Sequence, residues 1–360
     1  MELIFDPSSW SICHQGRALI KHTPDRVCCF AGTGNASVVM HHGNFDIRDT
    51  VESRIPLRHA HCAPAAGGAL RVSLMAFPGG EPELVLDVRV DGPFASIEAI
   101  FAAPGINRLW WRVGAEPAEH VWGCGEQMSY FDLRGRNFPL WTSEPGVGRD
   151  KTTHLTWQAD VAGRAGGDYY TTNYPQPTFL SSARYCLHAD TTAYADFDFR
   201  APGFHELQFW AVPRRIELFA APTFLELVER VSLRFGRQPE LPDWVQRGAI
   251  LGLKNGQEHA ERVLQQSLNH GLQVAALWCE DWVGLRQTSF GKRLFWDWKW
   301  NAKQYPQTRA WAASLNARGI RFMGYVNPYL CSDGTLYQEA RQAGYLATTK
   351  GGGDYLVDFG

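Results

Sequence analysis

Residues 288–300 read TSFGKRLFWDWKW and set two adjacent cations, Lys292 and Arg293, beside Phe295, Trp296, Trp298 and Trp300. Arg293 offers a planar fork of donors, and Trp296, three residues on, offers an indole N–H that only donates. Together they suit a compact oxyanion with several acceptor oxygens: a sulfonate, a sulfate or a phosphate. Lys292 adds a point charge aimed elsewhere and ranks second. A plainer reading fits the same residue types, with the cations solvated or stacked on a ring while the tryptophans cover a core. Residue types alone leave the two readings level.

A second candidate follows the apolar run VAALW, where Glu280 and Asp281 come at once. If that run is a strand of a parallel barrel, its C-terminal end is the functional edge, and carboxylates there weigh as site residues. A third is VWGCGEQMSYFDLRGRNFPLWTSEPGVGRD, residues 121–150, in which Glu126 and other charges sit among aromatics and five glycines. It lacks the Gly-Lys-Ser/Thr ending of a phosphate loop. It reads as a structured loop able to reach a neighbouring domain's site. Two motifs are set aside. His41 and His42 would point to opposite faces of a strand and have no partner cluster, so no metal site is expected. Asp358-Phe359-Gly360 follows none of the segments that give such a motif meaning in a kinase. No cofactor is expected.

The elements that must position these residues change grammar along the chain. From residue 1 to about 218, short alternating runs such as ALRVSLMAF, ELVLDVRV and HELQFWAV predict an antiparallel β-sandwich. Phe224, Leu227, Val228 and Val231 then recur at helical spacing, with Gly236 able to cap. The expected domain is residues 1–235, with 236–246 as linker. Beyond it strand-like and helical runs alternate: RGAILGL, a helix over about 257–270 closed by Gly271, VAALW, a helix near 307–318 closed by Gly319, RFMGYV, and a helix near 334–343 closed by Gly344. This is βα-unit order. The expected fold is therefore multidomain: an N-terminal antiparallel β-sandwich followed, over 247–360, by the first part of a (β/α)8 TIM barrel. A whole barrel takes roughly 250 residues, so this one is expected to be truncated before closure, in the N-terminal part of a longer protein.

Composition narrows the partners. With 35 basic and 37 acidic side chains the formal charge is −2, which argues against nucleic acid or an anionic membrane as a partner held by bulk electrostatics. Anion recognition must then be local. Eight cysteines are scattered without a C-x-x-C pair, which fits a reducing, cytoplasmic compartment. No signal-peptide pattern and no run of about 18 apolar residues occurs. Oligomeric state is not legible.

The segments WGCGEQMSYFDLRGRNFPLWTSEPGVGRDK, AGGDYY, GRQPELPDW, TSFGKRLFWDWKWN and YVNPY resemble the sulfoquinovosidases of glycoside hydrolase family 31. The resemblance runs from about residue 120 to the end and, more weakly, through the earlier β-rich part, including HGNFDIRD. It implies a retaining α-glycosidase that releases sulfoquinovose from α-glycosides such as sulfoquinovosyl glycerol from sulfolipid, so the partner is a small sulfonated glycoside. It also implies that Arg293 and Trp296 hold the sulfonate, that a residue at the position of Glu280 takes part through water, and that Glu126 lies in a loop near the sugar; because a glutamate would repel the sulfonate directly, a bridging water or a neighbouring cation such as Arg293 must intervene. Both catalytic aspartates are expected after Gly360, because Asp358 falls ahead of the family's nucleophile segment; none is expected in this chain. An α-glucosidase or α-xylosidase of the same family is the enzymatic alternative, disfavoured because a neutral sugar leaves Arg293 without a partner. From a different class, a noncatalytic sugar-binding protein would be complete at 360 residues.

Overall fold

Alternation becomes sheet in the first of two compact units, Met1–Arg237 and Gln238–Gly360. A computed structural model describes residues 1–41, 43–288, 291–349 and 351–357. His42, Ser289, Phe290 and Asp358, which the sequence motifs include, lie outside the described residues. In the first unit, antiparallel sheets of six and eight strands and a smaller one of three account for the strands. The strand Phe204–Phe209 shows why: His205, Leu207 and Phe209 are buried and the residues between them are not. Inward residues of the two large sheets fill one core, with Trp111, Val113 and Phe209 from the six-stranded sheet and Val72, Val88 and Phe179 from the eight-stranded one. Phe179 meets Phe197 of the other sheet edge-on, with ring centroids 6.1 Å apart.

One element departs from expectation. The stretch read as entirely β-rich contains an α-helix, His154–Gly163. Its Leu155, Trp157 and Val161 are exposed, so it shows no apolar stripe for periodicity to detect. What starts it is Thr153, whose hydroxyl accepts from the Thr156 N–H.

The second unit alternates strand and helix. Strands Ala249–Leu253, Val274–Cys279 and Arg321–Gly324 form a parallel sheet in that order. Helices Gly256–Asn269, Thr308–Ala317 and Thr335–Gln342 lie within a residue or so of the expected spans. Ala260 and Leu264 of the first, and Trp311 and Leu315 of the second, are spaced by four and buried together with Leu277 and Cys279 of the central strand. Gly271 and Gly319 each follow a helix with φ near +77°, a left-handed turn that a side chain would strain. All eight cysteines are buried and unpaired. No helix of the described residues is long and apolar enough to cross a membrane.

The central strand is continued by a buried carboxylate. Asp281 accepts a 2.5 Å hydrogen bond from the Tyr305 hydroxyl and a 2.8 Å bond from the Asn255 backbone N–H. It is fully buried. Asp281 thus ties the loop after the first strand and the segment before the Thr308–Ala317 helix to one point. Tyr305→Phe removes one of its two described donors at little change in volume, and should destabilise this unit by about 1–3 kcal/mol. Urea unfolding would register it as a lower midpoint at unchanged slope; an unaltered midpoint would refute the assignment.

Candidate anion site at the strand ends

Parallel strands bring their C-terminal ends to one edge. Leu253 pairs in register with Cys279, so the next residues, Lys254 and Glu280, emerge side by side. The Lys254 ammonium lies 2.8 Å from the Glu280 carboxylate, and both side chains stay partly open to solvent. The cation that offsets Glu280 is therefore Lys254; no described ion pair joins Glu280 to Arg293. Lysine carries three donors, and this bond occupies one. Asp281 holds Asn255, the residue after Lys254, whose backbone is left-handed at φ +73°. So the buried carboxylate of the Glu-Asp pair fixes the backbone beside the lysine, and the half-exposed one faces it.

The cationic stretch lies on a hairpin. Strands Leu285–Thr288 and Gly291–Leu294 pair antiparallel, with Arg286 opposite Arg293 and Gln287 opposite Lys292. Opposed residues share a face, and two like charges there repel. Arg286 is engaged by Asp333, 2.8 Å away. Arg293 and Lys292 are exposed, and among the described residues no hydrogen bond or ion pair engages either side chain. The Arg293 donor fork is thus uncommitted among the described residues.

The aromatic residues that follow divide by role. Trp296 is half-buried; its ring stacks on Tyr329 with centroids 5.6 Å apart and planes 28° apart. Trp298 donates its indole N–H to the Tyr329 carbonyl at 2.8 Å, and its φ is +47°, a conformation costing about 1–3 kcal/mol that neighbouring contacts must hold. Trp300 donates to the Tyr305 carbonyl and packs on Tyr305 and Phe322. Trp298 and Trp300 are bonded to the frame. Asp297, between the tryptophans, is buried and accepts from the Leu336 N–H at 2.7 Å and the Thr335 hydroxyl at 2.9 Å, closing the start of the last helix.

Glu126 belongs to the first unit. Gly123, Cys124 and Gly125 all have positive φ and form a bulge in the strand Val121–Gly125. A Cβ on Gly125 would sit 2.0 Å from the Tyr174 carbonyl oxygen, so only glycine fits. The bulge re-aims the chain. Glu126 emerges exposed, its N–H bonded to the Tyr174 carbonyl, at a cavity of about 810 Å³ that Tyr174, Gln176 and His188 also line. Among the described residues no group of His, Cys, Asp or Glu side chains is arranged to hold a metal.

Comparison with known proteins sharpens this chemistry. Residues 242–359 match the glycosyl hydrolases family 31 TIM-barrel domain. The chain is 55% identical to a sulfoquinovosidase of Agrobacterium fabrum over 98% of its own length and 51% of that protein's. It is 43% identical to a sulfoquinovosidase of Escherichia coli K12, covering 98% of this chain and 52% of that protein. A solved family-31 sulfoquinovosidase from E. rectale, in complex with an aza-sugar inhibitor, superposes with a TM-score of 0.93 at 48% identity, over all of this chain and 53% of that one. The chain spans about half the length of the curated relatives it matches.

Proposed function

We propose that this chain, which belongs to glycoside hydrolase family 31, carries the anion-recognition part of a retaining α-glycosidase that hydrolyses α-sulfoquinovosides, such as sulfoquinovosyl glycerol, to sulfoquinovose. The observation that carries the reading is Arg293: an exposed guanidinium on a hairpin following the central strand, uncommitted among the described residues, while nearby Arg286 and Glu280 already have partners. A neutral sugar offers such a group hydroxyl acceptors but no charge to pair with. In this reading Arg293 and the Trp296 indole hold the sulfonate oxygens. Lys254 and Glu280 act as a pair, the lysine cancelling the carboxylate's repulsion and turning its remaining donors toward the anion. Glu126, exposed in the first unit, is the further substrate-binding residue that the family resemblance implies.

The proposed frame is a β-sandwich domain over 1–235, a linker over 236–246 and the first βα units of a (β/α)8 barrel over 247–360. Retaining hydrolysis needs two carboxyl groups about 5–5.5 Å apart, one attacking the anomeric carbon and the other protonating the leaving oxygen and then activating water. We assign both to aspartates outside these residues; the side chains here bind and orient. The substrate is a small molecule, met in the cytoplasm, where eight unpaired cysteines are at home.

Turnover of matched aryl α-sulfoquinovoside and aryl α-glucoside by the full-length protein tests the reading. The expected kcat/KM ratio favours the sulfonated substrate by at least about tenfold, the equivalent of one charge-assisted contact. Hydrolysis of the glucoside alone would return the neutral-sugar alternative.

A further inference from the structure

Trp296 is gripped from a second loop, and we propose that Tyr329 and Cys331 are positioning residues whose grip sets the site's preference for a sulfonated sugar. The inference rests on the sulfoquinovosidase reading above. Trp296 and Cys331 exchange two backbone-directed bonds: the Cys331 N–H donates to the Trp296 carbonyl at 3.0 Å, and the Trp296 N–H donates to the Cys331 sulfur at 3.1 Å. Cys331 is buried, so this contact is shielded from water. Tyr329, two residues earlier, stacks on the indole and takes the Trp298 N–H on its carbonyl.

These contacts divide the work of aiming an indole N–H. The paired backbone bonds fix where the side chain leaves the chain, and the stacked ring fixes its plane. Neither can come from the hairpin itself, because two four-residue strands are marginally stable alone. The same loop reaches the hairpin a second time, through Asp333 on Arg286, the cross-strand neighbour of Arg293. Residues 329–333 therefore brace both halves of the anion clamp. A misplaced donor loses more on a sulfonate, whose charge-assisted contacts are the stronger ones, than on a neutral sugar hydroxyl.

In the full-length protein, Cys331→Ala removes the acceptor of the Trp296 N–H, Cys331→Ser keeps one, and Tyr329→Leu removes the stacking plane while retaining an apolar side chain. With Cys331→Ala or Tyr329→Leu, KM for an aryl α-sulfoquinovoside should rise and kcat/KM fall about tenfold, with less than about a twofold change for the matching glucoside. Cys331→Ser should recover most of the loss. Equal losses on both substrates would mark a merely structural role and overturn the proposal. A parent protein without sulfonate preference overturns both this inference and the functional reading. If the parent shows the preference, Arg293→Ala abolishes it, and Cys331→Ala and Tyr329→Leu keep it, this inference alone falls. Should Cys331→Ala fail to fold, Tyr329→Leu and Cys331→Ser decide.

Discussion

Arg293→Ala should lower kcat/KM for an α-sulfoquinovoside roughly ten- to a hundredfold, the equivalent of a charge-assisted hydrogen-bonded contact of about 1.5–3 kcal/mol. The matching α-glucoside should be nearly unaffected. The contrast follows from the cation arrangement. Lys254 is occupied by Glu280 and Arg286 by Asp333, so Arg293 is the described cation of this hairpin and strand edge that combines an uncommitted charge with a planar fork. A sulfonate keeps its charge through the reaction, so the contact exists in ground and transition states alike. The loss should therefore appear mainly in KM. Arg293→Lys restores charge without the fork and should recover little, because a point charge cannot bind two oxygens in parallel. Equal losses on sulfonated and neutral substrates would defeat the assignment.

Much of the second unit was readable because its signals are local. Ala260 and Leu264, or Trp311 and Leu315, lie four apart, and a glycine closes each helix. The Lys254–Glu280 pair was not readable, since 26 positions separate the residues and only parallel register joins them. The usable clue is that AILGLK and VAALWCE each end a strand in a charge. Glu280 does follow a strand end, and where a bridging water or a cation such as Arg293 was open for offsetting its charge, sheet register brings up a different cation, Lys254. The hairpin was hidden for a similar reason: GKRL has no alternation, and its pairing with LRQT rests on backbone bonds that any side chain permits. The exposed helix at 154–163 carries no amphipathic stripe, leaving Thr153 as its one legible mark.

The largest stability effect should come from a residue that sequence gave no reason to choose, Glu119. Its carboxylate accepts from Ser181 at 2.5 Å, Tyr185 at 2.9 Å, His205 at 3.1 Å, Arg17 at 2.5 Å and the Glu116 N–H at 3.0 Å. Ser181 and Tyr185 belong to the eight-stranded sheet, His205 to the six-stranded and Arg17 to the three-stranded, so one side chain joins all three. Burial alone pushes this carboxyl's pKa up, but the donors from His205, Ser181 and Arg17 outweigh it and hold the group well below the usual range. Glu119→Ala takes one carboxylate partner from Arg17 and leaves the buried donors of Ser181, Tyr185 and His205 without their acceptor, and should cost about 3–5 kcal/mol. In a unit of this size that lowers the melting temperature by on the order of 10 °C. Glu119→Gln separates charge from shape. A depressed carboxyl contributes its stability above the unfolded-state pKa and loses it as pH falls toward the folded value. The gap between the parent and Glu119→Gln should therefore be full at pH 7 and shrink below about pH 4. Calorimetry at pH 7 and pH 3 measures both. A gap that stayed constant with pH would mean the carboxyl is not held ionised by its donors, and would leave shape alone to explain the junction of the three sheets.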